Sequence, residues 1–164
     1  YVLYSNQFKK KNKPSKKSEE VPSPEDIKIE PQKIDGLPGN WLPLGENEFG
    51  TTIYLGLDTV SRIPSANMNI GMFDRMITNP EAINEEGDKS AIVTRVVDFN
   101  NNSFKDTKWD IYKKPFCKGK GEEFKFNLDE LEWTPIVQDS WDWLFGHMVK
   151  DLGLTVAGKN IGKS

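Results

Sequence analysis

One stretch near the C-terminus constrains this chain more than any other: Trp141, Leu144, Phe145, Met148 and Leu152 recur at helical spacing and form a single apolar stripe. Ser140 is a suitable N-cap, Asp139 and Asp142 put negative charge at the positive end of the helix dipole, and Gly153 can close the helix. A lone amphipathic helix must bury its stripe on another element. The folded patterning that precedes it, from Trp41 onward, reads as strands. The expected class is α+β: mainly an antiparallel β-sheet of about six strands in a meander, with the C-terminal helix packed on one face.

The strand reading rests on composition and punctuation. TTIYLGLDTVSRI reads as two strands around a hairpin turn at Gly56 and Asp58, and ANMNIGMFDRMI as a third. TNPEAINEEGDK, with Pro80 and Gly87, reads as a longer surface loop. SAIVTRVVDF is the clearest strand because of its β-branched run, and SFKDTKWDIYKK suits a fifth. CKGKGEEF reads as a glycine-containing turn, and FKFNLDELEWTPI as one or two strands ending at Pro135. On a strand, Leu128, Glu130 and Glu132 share one face and Asp129, Leu131 and Trp133 the other. That arrangement suits solvated edge charges rather than a paired-carboxylate glycosidase site.

Residues 1–38 read as a flexible basic and proline-rich tail or anchor-proximal linker, 39–153 as one domain, and 154–164 as a C-terminal tail. Pro14, Pro22, Pro24, Pro31 and Pro38 interrupt the first segment, which has little periodic apolar content. The chain starts at Tyr1, which reads as processed or trimmed, so an upstream signal or anchor is an open expectation. YVLYSNQF followed by KKKNKPSKK could be the lysine-flanked edge of a membrane segment, although it is too short to span by itself. Lys9, Lys10, Lys11, Lys13, Lys16 and Lys17 form the one dense charge cluster. Such an arm can serve as a solvated spacer, or engage acidic polysaccharide, lipid headgroups or an acidic protein face.

Net charge of −3 gives no pull toward nucleic acid. Cys117 is the single cysteine and His147 the single histidine, which excludes an intrachain disulfide, thiolate zinc sites and any mechanism needing two histidines. Cys117 lies near lysines that could activate a thiol, yet reads more simply as a partly buried group at a turn. GKG lacks the strand–loop–helix setting and the ending of a phosphate loop. Trp143 and His147 fall on the flank of the helix stripe and are candidate partner-binding residues. DFNNNSFKD places Asp98, Asn100, Asn102 and Asp106 at positions 1, 3, 5 and 9 of a calcium loop. Ser103 and Trp109 stand where that loop needs glycine and glutamate, so the stretch reads as a hairpin turn. No metal, cofactor or catalytic group is expected.

In order along the chain come NWLPL, YLGLDTVSR, Asp98 ending a β-rich run, Tyr112, and WTPIVQDS before the helix. That succession, covering Asn40 to Val149, resembles the surface-adhesin protein E-like domain of bacterial envelope proteins. The resemblance implies about six antiparallel strands, a C-terminal helix on the concave face, and adhesion to host matrix or serum proteins. It also implies Tyr-x-Asp where this chain has Tyr54, Leu55 and Gly56, with Asp58 two positions on. The disulfide that the resemblance implies between sheet and helix has no counterpart, since Phe99 follows Asp98 and the helix carries His147, Met148, Val149 and Lys150. Packing of the stripe is expected to take its place.

The expected function is a non-enzymatic, membrane-associated interaction domain of the bacterial cell envelope, on the outer surface or in the periplasm. Its expected partner is a protein, with acidic polysaccharide, a membrane tether and a second copy as further candidates. The rival reading is a structural or accessory subunit of a membrane-bound assembly, anchored through its N-terminal segment and on either side of the membrane.

Overall fold

The computed structural model describes residues 21–63 and 69–157, the side chains of Ile63 and of residues 153–157 excepted. The lysines at positions 9–17 and the chain after Ala157 lie outside the described residues. Among the described residues eight strands form one antiparallel sheet: β1 (Trp41–Glu46), β2 (Thr52–Gly56), β3 (Ser61–Ile63), β4 (Ile70–Thr78), β5 (Ser90–Asp98), β6 (Ser103–Tyr112), β7 (Gly121–Lys125) and β8 (Thr134–Pro135). They run in the order β1-β2-β4-β5-β6-β7, with β3 beside β4 and β8 beside β6. The helix, α1 (Trp141–Ala157), follows the last strand. An antiparallel sheet with one C-terminal helix is therefore the architecture.

The Gly56–Asp58 stretch is not a hairpin turn. Leu57–Thr59 is a single 3₁₀ turn, and β2 and β3 both lie along β4, with Leu55 opposite Arg75 and Ser61 opposite Met72. The chain keeps its direction because Thr59 fills the gap in the ladder: its hydroxyl accepts from Asp74 N at 2.8 Å and donates to Gly56 O at 2.7 Å. NLDELEW is likewise not a strand. Leu128–Glu130 is a 3₁₀ turn initiated by Asn127, whose side-chain oxygen accepts from Asp129 N, so the alternating-face description does not apply. The 79–89 loop does more than cover the surface, since Ile83 and Asn84 are fully buried and Asn84 organises it through Glu86 N, Asp88 N and Asp88 Oδ2.

Leu144, Phe145, Met148 and Val149 of α1 are buried, with Phe145 stacked on Phe73 of β4 at 5.5 Å between centroids. Gly71 makes this approach feasible: a Cβ there would lie 2.9 Å from the Phe99 ring and 3.6 Å from Val149. Ser140 Oγ accepts from Trp143 N at 3.2 Å, as an N-cap should. Gly153 does not end the helix, which continues to Ala157.

Residues 21–38 were read as a linker apart from the core, but they are laid on the domain as a strap. Val21 and Ile27 pack on the helix-side core, while Ile34 and Leu37 pack on the other side of the sheet with Trp41, Tyr54, Met76 and Cys117. Between them Gln32 bridges Trp41 with two backbone hydrogen bonds of 2.8 Å, covering the outer edge of β1 at its first residue. The strap's apolar residues follow neither helical nor strand period, because each only bridges to a neighbouring surface.

Candidate functional site

Under the helix lies a buried charge network. Side chains of Ala91, Val93 and Val97 join the helix-side core, so alternation places Arg95 on that face too. Across from β5, Thr94 is opposite Lys108 and Arg95 opposite Asp106, which leaves Thr107 as an extra residue in β6. This β-bulge decides the site. Trp109 and Ile111 face the helix, and strict alternation would turn Asp106 away; the bulge returns it to the same face.

Arg95, 3% exposed, then grips Asp106 with both prongs, Nε to Oδ1 at 2.6 Å and Nη2 to Oδ2 at 3.0 Å. Its remaining nitrogen donates to Asp142 of α1 at 2.6 Å, and its guanidinium lies 3.8 Å from the centre of the Phe104 ring. Arg75 reaches Asp106 at 3.4 Å and sits over Phe145. Burial opposes ionisation of both Arg95 and Asp106, but their mutual attraction outweighs it. Arg95, aided by Asp142, is held above its ordinary pKa, and Asp106, aided by Arg75, below its own. These are fixed charges at neutral pH, suited to fastening the helix rather than to moving protons.

The opposite sheet face is only partly covered. Met72, Ile92 and Tyr112 are half-buried there, beside Asp74, Thr94, Lys108, Asp110 and Glu123. Thr94 donates to Asp74 at 2.6 Å, and Lys108 lies 3.6 Å from Asp110 and 3.7 Å from Glu123. Burial, with the Glu123 and Asp74 carboxylates adding to it and Lys108 opposing, raises the pKa of Asp110.

At one end of that face, the turn after β6 carries two non-glycine residues with left-handed backbone, Phe116 at φ 56° and Cys117 at φ 57°. Such conformations cost on the order of 1–3 kcal/mol each and persist only where the surroundings fix them. Here two adjacent strand hydroxyls do so: Thr78 Oγ1 accepts from Phe116 N at 2.9 Å and Ser90 Oγ from Cys117 N at 2.8 Å. The Cys117 thiol is buried and its pKa is pushed up to about 11 by that burial. It is a packed group at a turn, not an activated nucleophile.

Trp143 is half-buried against the core and, with Asp139, lines a cleft of about 370 Å³ whose other wall is the strap from Val21 to Glu25. His147 is exposed, lies 5.4 Å from the Trp143 ring and pairs with Asp151 at 3.4 Å. The two candidate residues thus touch each other. In the 99–102 turn, Asp98 spends its carboxylate locally, with Oδ1 accepting from Asn100 N and Asn101 N and Oδ2 from Asn101 Nδ2. Asn102 takes the left-handed position at φ 53°, as a hairpin turn requires. Among the described residues no group of three or more His, Cys, Asp or Glu side chains is placed to hold a metal ion, and no helix is long and apolar enough to cross a membrane.

Three groups were not read from the sequence: the Arg95–Asp106–Asp142 network, the open face and the strained turn. One signal for the first was available, since an arginine in phase with Ala91, Val93 and Val97 must find carboxylates. No protein-family model matches the chain, and no curated protein or solved structure matches it either.

Proposed function

We propose that the chain is a non-enzymatic interaction domain of the bacterial cell envelope, of the surface-adhesin protein E-like kind, which binds a host matrix or serum protein through the sheet face that α1 leaves open. The observation that carries this reading is the make-up of that face: half-buried Met72, Ile92 and Tyr112 alternating with Asp74, Lys108, Asp110 and Glu123. Apolar contact area interleaved with satisfied charges suits a protein surface. The helix-side face has no such freedom, because Arg95 and the Phe73–Phe145 stack hold it closed.

The test uses the full chain, immobilised and exposed separately to matrix and serum proteins and to detergent extracts of native membranes. Ile92→Asp and Glu123→Lys, both on the open face, are expected to weaken capture of a matrix or serum protein at least about tenfold, the effect of losing one central contact. Unchanged capture by both variants would remove the open face from the reading. Capture of membrane subunits alone would favour an accessory subunit of a membrane-bound assembly instead.

A further inference from the structure

The turn from Lys113 to Lys120 gathers four lysines and one exposed aromatic ring in a chain whose net charge is −3. Phe116 is 38% exposed although its backbone is strained and its N–H is bound to Thr78. Strain that presents an apolar ring to solvent contributes nothing to the core. The ring packs edge-to-face with Tyr54 at 6.4 Å between centroids, a contact that holds it in place. Ser90 Oγ also donates to the Lys114 carbonyl at 2.5 Å, so both sides of the turn are pinned.

Gly119, whose φ of +81° makes the bend, has Lys114 against it. A Cβ built there would lie 3.6 Å from Lys114 Cδ and 4.0 Å from its Nζ, so the Lys114 stem folds across the bend. Lys113 and Lys118 are paired with Asp88 and Asp35. Among the described residues Lys114 and Lys120 have no ion pair. The turn that presents the Phe116 ring thus also carries two ammonium groups that no carboxylate engages.

We propose that this turn is a binding site for an acidic polysaccharide, with Phe116 stacking on a sugar ring and Lys114 and Lys120 meeting its sulfate or carboxylate groups. Lysine heads are point charges on rotatable stems and adapt to scattered anionic groups, whereas a planar arginine fork would suit one fixed carboxylate. A partly exposed phenyl ring held by Tyr54 offers apolar area to a sugar, while an acidic peptide would want a slot for its side chains. The site lies at one end of the open face but its variants leave Ile92 and Glu123 unchanged, so its failure and that of the open-face reading are distinguishable.

The experiment titrates the full chain with a heparin-derived octasaccharide, following backbone amide shifts, and repeats the titration with a polyglutamate peptide of similar charge. Shifts are expected across residues 113–120 and are expected to persist when Lys9, Lys10, Lys11 and Lys13 are changed to Gln. The pair Lys114→Gln and Lys120→Gln is expected to weaken octasaccharide binding about tenfold, as two exposed charge contacts would. Phe116→Gly, which relaxes the left-handed strain, is expected to weaken binding severalfold with Tm nearly unchanged. Shifts confined to residues 9–17, octasaccharide affinity unchanged in Phe116→Gly, or tighter binding of polyglutamate would each overturn the proposal.

Discussion

The Arg95 guanidinium of β5 and the Asp142 carboxylate in the first turn of α1 meet at 2.6 Å across 47 residues of chain. Where a disulfide would tie helix to sheet covalently, this pair does so by charge and geometry. Asp142 also sits where the helix dipole favours an anion, so one side chain serves the helix start and its docking. Position is strict because the other prongs of Arg95 are taken by Asp106.

Arg95→Met is expected to cost about 3–5 kcal/mol, because it strands the buried Asp106 carboxylate with only the longer Arg75 contact. Asp142→Asn, at a side chain 38% exposed, is expected to cost only about 1 kcal/mol. Urea denaturation of both variants checks the ratio. Equal losses would mean that the helix contact, not the Asp106 pair, dominates the network.

Acid should find the same network. The folded-state pKa of Asp106 is lowered, so its contribution is complete above the unfolded carboxylate value of about 4 and disappears as pH falls through the lowered value. Asp110 has the opposite sign: its raised folded pKa means that its ionisation counts against folding once pH climbs past the unfolded value. Tm measured against pH should therefore fall steeply on the acid side, less so in Asp106→Asn. Asp110→Asn should raise Tm at neutral pH, and a lowered Tm there would contradict the burial argument.

The strands and helix were legible because their signals are local. β-branched residues filled β5, and Ser140 with its apolar stripe marked α1. What was not legible depended on contacts distant in sequence. Nothing in FKDTKWD announces that Thr107 is an extra residue, yet the bulge sets the direction of Asp106. The β2–β3 segment looked like a hairpin because Gly56 and Asp58 are turn formers, whereas the Thr59 hydroxyl, joining Asp74 N and Gly56 O, keeps it straight along β4. The strap escaped notice because Val21, Ile27, Ile34 and Leu37 have no common period and two different destinations.

Helix substitutions separate core from flank. Phe145→Ala removes a fully buried ring stacked on Phe73 and is expected to cost about 3–5 kcal/mol. Trp143→Ala is expected to cost less, about 1–2 kcal/mol, since its half-buried ring packs on the core with one side open to the cleft beside the strap. His147→Ala, at an exposed position, should stay within about 0.5 kcal/mol. Chemical denaturation gives the order directly, and a Trp143 loss larger than that at Phe145 would place the helix axis differently.

Truncation tests the strap. Removing 1–38 strips four half-buried apolar side chains and uncovers the β1 edge, so stability should drop by about 3–5 kcal/mol at roughly 1 kcal/mol for each side chain. The bared edge should also promote association at high concentration, visible by light scattering. A 1–38 truncation as stable and monomeric as the full chain would show that the strap rests on the domain without supporting it.

The 99–102 turn offers the last test, because two of its asparagines have different roles. Asn102 holds φ 53°, where glycine is at no disadvantage, so Asn102→Gly should be tolerated within about 0.5 kcal/mol. Asn101 instead donates its side-chain amide to Asp98 at 2.8 Å, so Asn101→Gly loses that hydrogen bond and should cost about 1 kcal/mol. Asp98→Ala should cost more than either, since its buried carboxylate accepts from two backbone amides and one side chain of the turn. Because those oxygens are already engaged, millimolar calcium should leave Tm of the full chain unchanged. A rise of several degrees would mean that the turn opens to release Asp98, and the order of the three substitutions would then have to invert in the presence of the ion.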